Sequence, residues 1–187
     1  MKAISKLKRI AFASPSRSLS LVSIGSRNMP ASSSSSLLDE FTNFCYQRDL
    51  PRAMKAMDAM QRHGIWADSI TYSELIKCCL ARGAVNEAKL VHNHVFSNGH
   101  QPKTFLINIL LNMYVKFNLL DQAQELFDQM PERNVVSWTT MISACTNAKL
   151  NAKALQYLIL MLREGVMPNM FTYSSVLRAC DELLSLT

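Results

Sequence analysis

Five cysteines and a close histidine pair are the side chains of this 187-residue chain best suited to thiol or metal chemistry. The cysteines are Cys45, Cys78, Cys79, Cys145 and Cys180. A zinc or redox centre built on neighbouring thiols uses a CxxC pair, which lets both sulfurs meet at one ion or in one disulfide. The sequence contains no CxxC pair and no HxE motif, so a deaminase-type zinc site has no ligand set in it. His92 and His94 are two residues apart on an expected helix and turn to different faces, so they read as structural or solvent-facing. Cys79, Cys145 and Cys180 share one position of a repeat, and Cys45 is one step away. A cysteine that keeps register in this way serves as a small apolar packing residue. No cofactor and no metal are expected.

The repeat itself is marked by alanines. Ala53, Ala88, Ala123 and Ala154 stand 35, 35 and 31 residues apart. Sixteen positions before them lie Leu37, Tyr72, Ile107 and Trp138, and Tyr173 follows Trp138 by another 35. A second apolar series, Phe41, Ile76, Leu111, Ile142 and Leu177, keeps step, and so does Met60, Val95, Met130 and Met161. A period in this range is the mark of a solenoid. Solenoids offer extended concave binding surfaces.

The units are Ser34–Asp68, Ser69–Lys103, Thr104–Asn134, Val135–Asn169 and Met170–Thr187. In the second, Tyr72, Leu75, Ile76 and Cys79 follow i, i+3, i+4, i+7 and form one stripe of a helix. Arg82-Gly83 breaks it, and Ala88, Val91 and Val95 form the stripe of a second helix that closes before Pro102. The fourth repeats the plan with Trp138, Met141, Ile142 and Cys145, then Ala154, Tyr157 and Met161. The third has Ile107, Leu110, Leu111 and Tyr114, then Ala123, Leu126, Phe127 and Met130. The expected fold is all-α, an α-solenoid of about four and a half helix–turn–helix hairpins. The in-register alanines mark where the paired helices cross closely. Glu40 occupies an apolar position in the first unit, which suits an edge repeat. The fifth unit stops after eighteen residues, so the chain reads as part of a longer protein, and its stripe of Tyr173, Val176, Leu177 and Cys180 lacks a covering second helix.

Charge is unevenly spread. The formal net charge is +6. Residues 1–38 hold Lys2, Lys6, Lys8, Arg9, Arg17 and Arg27 and no acidic residue, while the remainder carries fourteen basic and fourteen acidic residues. The repeat body therefore has no overall basic excess. Twelve serines occur by Ser36. Basic, Ser-rich and acid-free composition describes an organellar transit peptide over residues 1–33, with a plain disordered tail as the alternative. Ile4, Leu7 and Ala11 can share a helical face, which favours mitochondrion over chloroplast. Ser32–Ser36 reads as a flexible joint. No apolar run approaches the roughly 18 residues of a membrane span.

Several blocks resemble pentatricopeptide repeats. Ser69-Ile-Thr-Tyr-Ser-Glu-Leu-Ile76, Val135-Val-Ser-Trp-Thr-Thr-Met-Ile142 and Met170-Phe-Thr-Tyr-Ser-Ser-Val-Leu177 look like that family's opening. Glu87-Ala88, Gln122-Ala123 and Lys153-Ala154 look like the start of its second helix. Leu126-Phe-Asp-Gln-Met-Pro-Glu-Arg-Asn134 resembles the end of the short repeat type, and Gly165-Val-Met-Pro-Asn169 the end of the standard type. The order long, short, standard, long is similar to the plant PLS subfamily. The early Trp, Gly and Tyr pattern of tetratricopeptide repeats is not matched.

The resemblance implies single-stranded RNA as the ligand, one base per repeat. The fifth and last residues of each repeat would read the base edge. These are Leu38 with Asp68, Ser73 with Lys103, Asn108 with Asn134, and Thr139 with Asn169, and Ser174 opens a fifth pair. By the family's rule Thr139 with Asn169 looks like an adenine reader, and Asn108 with Asn134 like a pyrimidine reader preferring C. Leu38 cannot hydrogen-bond and Lys103 fits no usual pair. Ile70, Phe105, Val136 and Phe171 would wedge between bases. Lys116 lies at the usual phosphate-contacting position, which Ala81 and Asn147 occupy in the second and fourth units. The implied role is site recognition in organellar RNA processing such as C-to-U editing, by a chain that is not itself an enzyme, with any deaminase domain beyond Thr187. Other RNA-processing proteins are possible partners, and no membrane or small-molecule substrate is expected. The alternatives are a protein-binding helical scaffold and a truncated fragment without independent activity.

Overall fold

The computed structural model describes residues 31–97 and 102–185. Residues 1–30 of the segment read as a transit peptide lie outside them, and residues 31–33 belong to the first helix. Among the described residues there are nine α-helices and no strand: α1 (Ala31–Tyr46), α2 (Leu50–His63), α3 (Ser69–Arg82), α4 (Val85–Phe96), α5 (Thr104–Lys116), α6 (Leu120–Asp128), α7 (Val135–Asn147), α8 (Asn151–Arg163) and α9 (Met170–Leu184). Ser32–Ser36 belongs to α1 and is not the flexible joint that its composition suggests. Serine is only a moderately poor helix former. The tract leads directly into Leu37, Leu38 and Phe41, which anchor the helix in the core.

Each hairpin turns through one left-handed residue. Gly83 takes it after α3 at φ 65°, a conformation glycine adopts freely. At the turns after α1, α5 and α7 the same job falls to Arg48, Asn118 and Lys149, with φ 57°, 58° and 61°. L-residues there give up roughly 1–2 kcal/mol against the right-handed region. The turn geometry is thus imposed by the packing of the helices on either side.

The odd-numbered helices pack in an unbroken series, α1 on α3, α3 on α5, α5 on α7 and α7 on α9. Among the even-numbered helices, only α2 and α4 touch to any extent, and far more lightly than the odd-numbered ones. A double layer whose one side is continuous and whose other side is splayed must curve toward the continuous side. The odd-numbered helices therefore form the inner layer.

All four in-register alanines, Ala53, Ala88, Ala123 and Ala154, have 0% of their surface exposed. They leave no room for a longer side chain at the helix crossings. The stripes of the second, third and fourth units are buried throughout. Trp138 is held edge-on by Phe127 and Tyr157, with ring centroids at 4.8 and 6.1 Å. Cys45, Cys78, Cys79 and Cys145 are free and buried, and burial pushes the Cys45 and Cys79 thiols up to about 12. They pack as apolar residues. The last helix departs from this order. Tyr173 is 50% and Leu177 68% exposed, although their counterparts Trp138 and Ile142 are buried. Val176 and Ala179 are the apolar residues that α9 buries.

The two histidines are both structural. His92 places Nδ1 2.6 Å from the Tyr114 hydroxyl on the next hairpin. His94 is 1% exposed, stacked on Trp66 and tilted against Tyr72. Neither His94 ring nitrogen has a hydrogen-bond partner among the described residues. Burial lowers the pKa of both histidines, so the folded chain keeps them neutral.

Two outcomes follow from this packing. Replacing Ala123 by Leu should lower stability by about 1–3 kcal/mol through overpacking. Ala152→Leu, on the exposed first turn of α8, should leave it nearly unchanged, and helical circular dichroism against denaturant distinguishes the two. Acidification should also destabilise the chain. The unfolded histidines take up protons near their ordinary pKa of about 6.5 while the folded ones do not, so stability falls as pH drops from about 7.5 to 5. His94→Phe should shrink that fall, as read from melting temperature against pH.

Candidate nucleic-acid interface

The inner layer presents one open groove of about 430 Å³ across α5, α7 and the start of α9. Asn112 and Lys116 line it from α5, and Val136, Thr139, Ser143 and Asn147 from α7. Asn169 and Phe171 close its far side. The second residues of the inner helices stand out from the surface as unburied apolar groups. Ile70, Phe105, Val136 and Phe171 are 57, 55, 52 and 68% exposed. Flat or branched apolar groups at one-repeat spacing on a concave face can stack on, or slot between, planar ligands.

The last residue of each unit is also the N-cap of the next inner helix. Asp68 accepts from Thr71 N at 2.7 Å, Asn134 from Val136 N and Ser137 N at 3.0 and 3.2 Å, and Asn169 from Thr172 N at 3.0 Å. These bonds satisfy backbone donors that an α-helix leaves orphaned at its start. Ser137 and Thr172 return the favour to the cap's own N–H, completing capping boxes. The backbone donor from Thr71 also holds the Asp68 carboxyl below its ordinary value. Lys103 caps α5 without any side-chain bond.

Capping fixes which way each carboxamide points. The oxygen of Asn134 already takes two backbone donors and the Asn108 Nδ2 at 3.2 Å. The exposed end of Asn134 is therefore its NH₂ group, a pure donor. The Asn108 oxygen is buried with no partner among the described residues. A buried acceptor left unmatched costs about 1–3 kcal/mol.

Around Asn169 the polarity is likewise determined. Its oxygen accepts from both the backbone and the hydroxyl of Thr172, each at 3.0 Å. The Thr172 hydroxyl has one proton and spends it there, so at the 2.6 Å contact between Thr139 and Thr172 it is Thr139 that donates. Thr139 then offers lone pairs to the groove, and Asn169 offers N–H.

Asn108 and Asn134 thus meet directly, and Thr139 and Asn169 meet through Thr172. Ser73 is buried and donates its hydroxyl to the Ile70 carbonyl at 2.7 Å, while Lys103 is exposed. Leu38 is half-buried, and Ser174 is exposed. Lys116 is exposed on the groove rim and forms no ion pair among the described residues. Sequence reasoning missed Thr172 as the relay between its two partners. The signal was the Thr or Ser three residues after Asp68, Asn134 and Asn169, the spacing of a capping box.

Asn169→Ala should cost about 1 kcal/mol of stability through the lost cap, and Asn169→Asp should retain most of it. Thermal unfolding of the two variants beside the parent chain tests this.

Comparison with known proteins follows the same lines. Family models match as PPR repeat family over residues 133–181, PPR repeat over 106–135 and pentatricopeptide repeat domain over 44–117. The chain is 66% identical over 145 residues to the Arabidopsis thaliana pentatricopeptide repeat-containing protein At2g03880, named mitochondrial, covering 78% of this chain and 23% of that protein. It is 34% identical over 134 residues to the protein At4g18520 of the same plant, named chloroplastic, covering 72% and 22%. The chain thus spans about a quarter or less of the length of these relatives. Its fold is similar to the crystal structure of the pentatricopeptide repeat protein PPR10 from maize, with a TM-score of 0.60, 20% identity and coverage of 76% and 21%. Against PPR10 in complex with an 18-nt psaJ RNA element the TM-score is 0.55, at 22% identity and coverage of 70% and 20%.

Proposed function

The chain belongs to the pentatricopeptide repeat family, and on that premise we propose that its inner helices bind single-stranded RNA with one base per repeat. The observation that carries this reading is the polarity at Thr139 and Asn169. An acceptor beside a donor matches the adenine edge, where N6–H donates and N1 accepts. Asn134 offers its donor in the same way, and the Asn108 oxygen, buried in the free chain, becomes the acceptor once the ligand turns that side chain outward. Cytosine presents the complementary pair, N4–H and N3, and filling the unmatched Asn108 oxygen would recover part of its burial penalty. Val136 and Phe171 flank these positions as stacking groups, and Lys116 supplies a cation for the backbone. Ser73, Lys103 and Ser174 occupy reading positions with weaker claims, Ser73 because its hydroxyl is already spent. Ile70 and Phe105 extend the series of wedges to the second and third units.

The long, short, standard, long order supports a PLS-type role, in which the chain recognises a site for organellar RNA processing such as C-to-U editing. It acts by binding and without its own catalysis. Mitochondrial location is favoured by the basic leader and by the name of the 66% identical relative.

The test is binding of short single strands that differ only at an adjacent pyrimidine–adenine step, at low and moderate salt. Binding should weaken as salt rises and fall when the adenine is replaced. Asn169→Asp keeps the cap but turns the outward donor into an acceptor. Preference should then shift toward guanine, whose N1–H donates and whose O6 accepts from the Thr139 hydroxyl once it rotates. Binding indifferent to these bases would reject the register, and salt-insensitive binding of protein partners in its place would favour a scaffold.

A further inference from the structure

The groove has an electrostatic gap at Asn147. Lys116 projects from the end of α5, and the corresponding end of α7 carries the uncharged Asn147. A side chain from the next helix reaches that point. The Arg178 guanidinium donates from Nη2 to the Asn147 oxygen at 2.6 Å, bridging α9 to α7. Arg178 lies seven residues after Phe171, two helical turns along the same face of α9, so it continues the side on which Phe171 lines the groove.

Three features make this pair more than an interhelical tie. Arginine has five N–H donors and no acceptor, so the Asn147 contact leaves most of its fork unspent. Because arginine can only donate, the Asn147 oxygen is the atom consumed, and its NH₂ is left to donate as well. Finally, Arg178 is exposed and forms no ion pair among the described residues. The nearby carboxylate on its helix, Glu182, is hydrogen-bonded by Lys149 and Asn151 of the preceding hairpin and feels the Arg178 charge only without direct contact. A cation with free parallel donors, steadied by an amide that adds another, fits a singly charged phosphodiester group.

We propose that Arg178 and Asn147 form a phosphate-binding site for the RNA backbone, with Arg178 supplying across the hairpin boundary the charge that α7 lacks. The proposal rests on the groove being the RNA site. It adds a contact one repeat beyond Lys116, so the backbone is held at both ends of the Thr139–Asn169 position.

The experiment is the slope of log affinity against log salt for a short single strand, measured with the full chain. Each phosphate contact on a single strand contributes about 0.7 to that slope. Arg178→Ala should flatten it by about 0.7 with base preference unaltered, and Arg178→Lys should hold most of the slope. Asn147→Asp should flatten the slope with the arginine still present, because its carboxylate would pair with Arg178 and repel phosphate. Lys116→Ala serves as the reference for loss of one contact. A normal slope in Arg178→Ala, alongside a reduced one in Lys116→Ala, would overturn this site and leave the groove as the RNA surface. A parent chain with no salt-dependent binding would overturn both. Melting temperatures of all four variants identify any that are misfolded, and the two conservative ones, Arg178→Lys and Asn147→Asp, carry the decision if Arg178→Ala is among them.

Discussion

A single helical hairpin of this chain has two apolar faces and can bury only one against itself. Everything else in the structure depends on how the second face is covered. The inner helices achieve it by packing on one another in series, and the outer helices complete each crossing. The crossings are close because alanine occupies them. With all four alanines fully buried, each pair of helices is held at the distance a methyl group permits. The close crossing sets the turn, and the turn is strict enough to hold Arg48, Asn118 and Lys149 in a left-handed conformation that L-residues otherwise avoid. In α9 the corresponding stripe residues, Tyr173 and Leu177, are exposed where Trp138 and Ile142 of α7 are buried.

The same stacking builds the groove. Serial packing of the inner helices places their first turns side by side, so that caps, exposed apolar second residues and fifth residues recur at one-repeat intervals on the concave side. A cap from one unit then lies beside the fifth residue of that same unit's inner helix, as the contact between Asn108 and Asn134 illustrates. Neither asparagine is free to present either end of its amide. Helix chemistry has already taken the oxygen of Asn134, and what remains to a ligand is a donor of known direction.

Much of this was legible in the sequence, for physical reasons. Apolar stripes survive in sequence because burial requires them at helical spacing, so Tyr72, Leu75, Ile76 and Cys79 announced a buried face, as did their counterparts in the third and fourth units. Gly83 announced a turn because it alone meets that turn without strain. Ser32–Ser36 misled, since composition says little about a segment whose helicity is set by Leu37 and Phe41 just beyond it. The sequence leaves His94 as structural or solvent-facing, and no sequence rule indicates the aromatic sandwich of Trp66 and Tyr72 around it, which comes from two different helices and the loop between hairpins. The pairing of Arg178 with Asn147 was hidden for a related reason. Residues 31 apart in the chain meet only because α9 packs on α7, and a reading made one repeat at a time sees a missing lysine where the assembled surface has an arginine.

On the proposed reading, the residue that closes a unit both caps a helix and faces the ligand, and this narrows how such a surface can change over time. A substitution at Asn134 or Asn169 that alters the ligand must still start a helix, and only a handful of amino acids start one well. Most of them are short and polar. Recognition can therefore drift by exchanging a donor for an acceptor, as between asparagine and aspartate, at little cost to folding. Drift toward a bulky or apolar side chain would loosen the helix before it changed the preference. Lys103 marks the exception, a boundary where the helix begins without a side-chain cap and where the vocabulary is correspondingly unconstrained.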